Sequence, residues 1–335
     1  MRARVLTSAA VAGVVLLGAT AIGQQRGRLN PMIDLLIAKN AVIGLGVPSA
    51  GRGGGNATPP APARTPADFA KDAIAHPEAD FFFTASMERN IDGGSAAMIA
   101  LQDALAEAGN VERSPLLRLR MPVTSKATNI SRPGTPADPA NYVTNISRQL
   151  NAGVSSFAFV EVDTAEELQL GIAAMRFAAR GGTRPDDVGN APKYWGLTEA
   201  EYRRRADVWP LNPDGELVVW AIVESKEGLA NIREIAQVKG LSVLAAGAGT
   251  LGGVFSTTNA DGQRQRDNAA WEAAIQTVLA TCKGFGLACA YPVNEADVET
   301  RMQQGFNVAI LQSFSEPAFR TVAKARQFSG RDKEK

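Results

Sequence analysis

From Glu216 to Gly253 the chain reads as an apolar run, LVVWAIV, a mixed stretch, ESKEGLANIREIAQVKG, a second apolar run, LSVLAA, and then a group of glycines. Neither apolar run alternates with polar residues, as a strand with one wet face would. Both read as strands covered on two sides, and the stretch between them carries apolar residues at helical spacing. Strand, helix and strand of this kind predict a parallel βαβ unit. The same pattern predicts buried strands at Val42–Val47, Asp80–Thr84, Leu116–Arg120, Phe157–Val162, Leu217–Val223, Leu241–Ala246, Ala288–Tyr291 and Asn307–Leu311. Helical periodicity falls between them, at Pro66–Ala75, Gly94–Ala108, Pro139–Asn151, Ala165–Arg180, Lys226–Val238, Asn268–Phe285 and Glu295–Gln304, and Glu316–Phe328 closes the series. Eight strands, each followed by a helix, predict an α/β fold of the (β/α)8 TIM barrel type, with its chemistry at the carboxyl ends of the strands.

Three stretches stand outside this rhythm. Residues 1–23 have a basic start at Arg2 and Arg4, an apolar run and small residues at Ala21 and Gly23. That is the pattern of a signal peptide, cut between Gly23 and Gln24, and it predicts a periplasmic or secreted protein. An uncleaved membrane anchor is the competing reading, although a span needs roughly 20 apolar residues. Residues 51–66, GRGGGNATPPAPARTP, are Gly/Pro-rich and lack the Lys-Ser/Thr ending of a phosphate loop, so they read as a flexible insertion of the kind that forms a lid. Residues 181–215 hold a helix of their own, Thr198–Ala206, with Trp195 and Trp209 on either side, and predict an ordered excursion. The remainder, 24–335, reads as one barrel domain.

Composition narrows the function. Lys and Arg number 35 against 34 Asp and Glu, which gives no electrostatic case for nucleic acid or, once the leader is cut, for a membrane. The two cysteines, Cys282 and Cys289, cannot close a zinc site; export would permit a disulfide, and two buried thiols are the simpler expectation. His76 is the single histidine, at the foot of a helix, so a histidine-rich metal site is excluded.

The predicted strand ends supply the candidate chemistry. They present Glu88 after the second strand, Arg118 and Arg120 on the third, Glu161 and Asp163 after the fourth, and Glu224 after the fifth. An arginine directed into a barrel needs an anion, either a barrel acid or a substrate carboxylate. Adjacent strands lie roughly 4.8 Å apart, so Glu161 and Glu224 can share a divalent cation such as Mg or Mn. The alternative is that each acid caps the helix that follows it. Gly247, Ala248, Gly249 and Thr250 open a turn whose Gly-x-Gly-x-x-Gly spacing matches a dinucleotide fingerprint literally. No helix is expected directly after it, so it reads as a glycine turn offering N–H groups to an anionic ligand.

Taken together, IGLGVPS, FFFTASME, LLRLR, FAFVEVDTAEEL with MRF, IVESKEGLANIREIAQVKG and LAAGAGTL resemble the HpcH/HpaI aldolase (citrate lyase beta-like) family, from Leu29 to about Arg320. The resemblance implies a (β/α)8 barrel of the pyruvate/phosphoenolpyruvate-binding type, commonly a homo-oligomer. It also implies metal-assisted making or breaking of a carbon–carbon bond beside a pyruvate enolate. Residue by residue, it puts the metal-binding glutamate at Glu224 and the pyruvate-holding arginine at Arg118. Thr250 stands where the family has a second, aspartate ligand. Ala85-Ser86-Met87 replaces the turn with the histidine base, Val160-Glu161 a Pro-Met pair, and Ile222 a glutamine.

The expected arrangement is therefore Glu224 and Glu161 on a divalent metal, Arg118 on a substrate carboxylate or enolate oxygen, and Glu88 moving the proton. The expected substrate is a 2-oxo-4-hydroxy acid or a related small carboxylate. A second expectation, from the missing aspartate and histidine, is a lapsed barrel that binds small carboxylates in the periplasm without turning them over.

Overall fold

The computed structural model describes residues 28–47, 64–76, 78–108, 123–128 and 139–331. Eight parallel strands form a closed ring: β1 (Val42–Gly46), β2 (Phe81–Thr84), β3 (Val123–Thr128), β4 (Ser156–Val160), β5 (Leu217–Val223), β6 (Leu241–Ala246), β7 (Ala288–Pro292) and β8 (Val308–Leu311). Each pairs with the next, β4 pairs with β5, and β8 returns to β1. The predicted (β/α)8 barrel is thus the fold.

Seven of the eight strands fall within two residues of their predicted places. The third does not. The position between β2 and β4 is held by Val123–Thr128, whereas Leu116–Arg120 lies outside the described residues. VTSKAT has no apolar run to mark it, only β-branched residues that suit a strand.

Alternation along the strands builds two cores. Phe81, Phe83, Ala158, Val160, Val218 and Trp220 pack together inside the barrel. Met32 and Ile33 of the helix Pro31–Ile37 join this inner cluster and close the barrel foot, the end where the strands begin. Phe157, Phe159, Val219 and Leu244 face outward among the covering helices. Val218, Trp220 and Ile222 are inward, so the same parity brings the next even residue of that strand, Glu224, to the inner side at the opposite end, the mouth.

The excursion is ordered, as expected. It holds the short helices Ala191–Trp195 and Glu199–Arg205 and a two-residue strand, Val208–Trp209, paired to the start of β5. It is tied down by Asp207, whose buried carboxylate takes the Arg176 guanidinium at 2.6 and 3.3 Å. The helix predicted to reach Arg180 stops at Met175: Arg176 is extended, and a single 3₁₀ turn, Ala178–Arg180, follows.

Two further expectations are corrected. Cys282 and Cys289 form a disulfide, not a pair of free thiols. The helix Asn268–Phe285 ends in a left-handed Gly286, and the turn brings the two Cα atoms to 5.6 Å, inside the range a disulfide spans. The glycine turn after β6 does open a helix, Ala248–Val254. Its glycines mask the helical pattern, because glycine is a poor helix former, and the turn is held by buried Ala248 and Leu251. Among the described residues no helix is long and apolar enough to cross a membrane. The only histidine of the chain, His76, stacks on Phe319 with ring centroids 3.8 Å apart, in keeping with a helix-end residue.

Candidate active site

Glu224 follows β5 directly and is only 5% exposed. Its Oε1 accepts a hydrogen bond from the backbone N–H of Glu161 at 3.0 Å. Glu161 directly follows β4 and lies in the left-handed region, with φ of +52°. A non-glycine residue there costs roughly 1 kcal/mol, and the turn aims its N–H at a carboxylate. On the other side lies Gly247. A Cβ at that position would fall 2.4 Å from Glu224 Cβ and 2.6 Å from Oε2, so only glycine leaves the carboxylate where it is. The Gly247 N–H itself donates to Val223 O at 3.0 Å.

The two loops that carry the acids are also joined by further bonds. Val162 N–H donates to Ile222 O at 3.2 Å, the Ser225 hydroxyl to Asp163 Oδ1, and Asn231 Nδ2 to Asp163 O at 2.9 Å. Asn231 interrupts the helix predicted over Lys226–Val238, which is two short helices, Lys226–Ala230 and Ile232–Ala236. Gly228 sits under Val162 O, where a Cβ would come within 2.6 Å.

Neither acid is a helix cap. Thr164 caps the helix Ala165–Met175 in a capping box with Glu167, and Ser225 caps the next through Gly228 N–H. Glu161 and Glu224 are therefore surplus to local helix chemistry. Burial pushes the Glu167 carboxyl above its usual range, against the N–H groups of Asp163 and Thr164 that pull it down.

The remaining predicted site residues divide. Glu88 lies half-buried in a four-residue helix, Ser86–Arg89, at the end of β2 and so at the same mouth. Arg118 lies outside the described residues. Gly249 and Thr250 are exposed in the first turn of the helix Ala248–Val254, whose early N–H groups have no partner within the helix. The structure thus brings Glu161, Glu224 and Gly247 together. The sequence reading placed Asp163 at a strand end and read Ser225 as a helix cap, which it is, but it joined neither to the site and passed over Asn231.

Among the described residues no group of three or more His, Cys, Asp and Glu is placed to hold a metal. The buried Glu224 carboxylate suits the sparser case, in which magnesium takes one or two protein carboxylates and completes its shell with water and substrate oxygens; Glu161 meets it here through its backbone N–H. A closed protein cage is not available to these residues.

A model of the HpcH/HpaI aldolase/citrate lyase family matches residues 97–312. The chain belongs to that family. Among solved structures, an HpcH/HpaI aldolase/citrate lyase family protein from Burkholderia cenocepacia J2315 superposes with a TM-score of 0.61 at 17% identity, over 89% of this chain and 97% of that one. An HpcH/HpaI aldolase from Desulfitobacterium hafniense DCB-2 gives 0.58 at 14% identity, over 89% and 93%. Macrophomate synthase gives 0.55 at 14%, over 90% of each chain. At such identities the likeness shows a shared fold. No curated protein matches the chain. For this HpcH/HpaI family member, aldolase and citrate lyase chemistry is the family's range, and the mouth of the barrel is where its residues must be weighed.

Proposed function

We propose that this family member is a divalent-metal-dependent carbon–carbon lyase of the aldolase type, acting on a 2-oxo-4-hydroxy acid or a related small carboxylate. The observation that carries the reading is the buried Glu224 carboxylate, fixed at the barrel mouth by the Glu161 N–H and walled by Gly247. Glu224 and Glu161 would hold Mg or Mn, which when bound supplies positive charge beside a developing enolate oxygen.

The chain's own groups take the other parts. Arg118 receives the substrate carboxylate, as the family resemblance implies, and orients the C3–C4 bond. Glu88 takes the proton from the C4 hydroxyl. The C3–C4 bond then breaks, its electron pair passes to the pyruvate fragment as an enolate, and the aldehyde leaves. The proton returned to C3 completes pyruvate, with Glu88 as its carrier.

Pyruvate release from a panel of 2-oxo-4-hydroxy acids, with and without Mg or Mn, tests this directly. The expected result is metal-dependent release that Glu224→Gln sharply lowers. A second reading has a specific observation behind it: Thr250 stands exposed at the position where the family resemblance implies an aspartate ligand. On that reading the barrel binds small carboxylates and does not turn them over. Retained carboxylate binding with no pyruvate from any substrate decides for it.

The same proposal places the mature protein in the periplasm or outside the cell, as a homo-oligomer. The disulfide between Cys282 and Cys289 supports export, since such bonds persist in oxidising compartments. Cell fractionation and gel filtration of the recovered protein test location and assembly.

A further inference from the structure

The contact between Glu161 and Glu224 depends on a backbone turn that is unfavourable by itself, so something must hold it. The residues that hold it converge on Asp163. Its carboxylate accepts the Ser225 hydroxyl, its carbonyl accepts Asn231 Nδ2 at 2.9 Å, and its own N–H donates to Glu167 Oε2 at 2.8 Å. Three neighbours on two elements therefore fix one residue, two positions beyond the left-handed Glu161. Ser225 is the residue next to Glu224, so the Asp163–Ser225 bond and the Glu161–Glu224 bond run side by side between the same two loops.

We propose that Asp163 is a positioning residue: its bonds to Ser225 and Asn231 latch the loop after β4 to the loop after β5 and so keep the Glu161 N–H on the Glu224 carboxylate. As a metal-site device the latch rests on the assignment of Glu161 and Glu224 as the metal pair. As a geometric device it does not. An outer partner of this sort, which orients a ligand without touching the ion, typically changes metal affinity by about 10- to 100-fold when it is removed.

The test uses the full mature chain and two readouts. Hydrogen–deuterium exchange, resolved to the Glu161 amide, reports the latch without metal. Titration with Mn2+, followed by the signal of the free ion, reports its consequence. In Asp163→Ala the Glu161 amide is expected to exchange at least about tenfold faster and Mn2+ to bind about tenfold more weakly. Asp163→Asn keeps an oxygen that accepts the Ser225 hydroxyl, and should restore both readouts to within about threefold of wild type. A fold-stabilising role alone would lower the melting temperature of Asp163→Ala and leave Mn2+ affinity of the folded protein unchanged.

Unchanged Glu161 exchange in Asp163→Ala overturns the proposal, as does an Asp163→Asn chain that behaves like the alanine variant. If wild type binds no Mn2+ while the Glu161 amide still loses protection in Asp163→Ala, the metal assignment fails and the latch stands. Where Asp163→Ala does not fold, Asn231→Ala removes the bond to the Asp163 carbonyl, and the same acceleration at Glu161 is expected.

Discussion

The two ends of the barrel anchor their acids through different described contacts. At the foot, each is met by guanidinium groups. Asp80, just before β2, takes Arg331 at 2.6 and 2.9 Å. Asp207, beside the start of β5, takes Arg176, and Glu216, just before β5, takes Arg205 at 3.2 Å. At the mouth, the contacts seen among the described residues include a backbone N–H on Glu224 and a hydroxyl on the half-buried Asp163. A guanidinium neutralises the acid it holds, and the foot pairs sew the N-terminal segment, the excursion and the C-terminus to the barrel. An N–H dipole orients a carboxylate. The contrast separates the end that holds the fold from the end equipped for chemistry, as the division of labour in such barrels requires.

If the contrast is right, substitutions at the foot should cost stability and substitutions at the mouth should cost function. The largest stability effect is expected at Asp207. Asp207→Ala leaves Arg176 facing a vacated site and frees the Asn212 and Val208 donors, at a cost of about 3 kcal/mol in urea denaturation. Glu224→Gln is expected to do the reverse. Pyruvate release should fall by roughly 10²- to 10³-fold, and stability should move by less than about 1 kcal/mol. A Glu224→Gln chain that denatures much earlier than wild type would put this acid with the foot acids. Gly247→Ala falls between the two. Its methyl group would sit 2.6 Å from Glu224 Oε2, so the carboxylate or the turn must move, at about 1–3 kcal/mol in stability together with weaker Mn2+ binding.

The sequence made the barrel legible because seven strands are written as apolar runs, which only a sheet covered on both faces produces. β3 escaped notice because VTSKAT carries little apolar signal, and its place is set by pairing with β2 and β4 instead. At the site, Glu224 was legible from its place at a strand end, and Glu161 from adjacency of the strands. What could not be read was how the two meet. The contact is a backbone N–H from a left-handed residue, and no side-chain pattern encodes that conformation in a glutamate. The disulfide was missed for a related reason. Seven residues of sequence say little about distance until the Gly286 turn folds Cys289 back beside Cys282.

The smallest expected effect separates two acids within the foot itself. Burial raises the Glu216 carboxyl above its usual value, more than the N–H groups of Asn30 and Leu29 and the guanidinium groups of Arg28 and Arg205 lower it. Burial also raises Asp207, but Arg176, Asn212 and the Val208 N–H outweigh it, and the group ends below its usual value. The signs of the pH dependence are therefore opposite. Between the unfolded and folded pKa values of Glu216 the folded chain binds the extra proton, so its contribution is present in acid and is lost as pH rises through the folded value. The Asp207 contribution is present above the unfolded aspartate value, near pH 4, and is lost as pH falls through the folded one. Glu216→Gln cannot ionise and keeps one oxygen, enough for one of the Leu29 and Asn30 N–H groups, which reach different carboxylate oxygens. Its melting temperature relative to wild type should climb as pH rises from the unfolded glutamate value, near 4, through the folded one. Asp207→Asn should fall further behind wild type as pH rises through the folded value and past the unfolded one, near 4. Parallel curves for the two variants would mean that the Glu216 site is as fully compensated by its arginines as the Asp207 site, and that burial at the foot carries no net electrostatic cost.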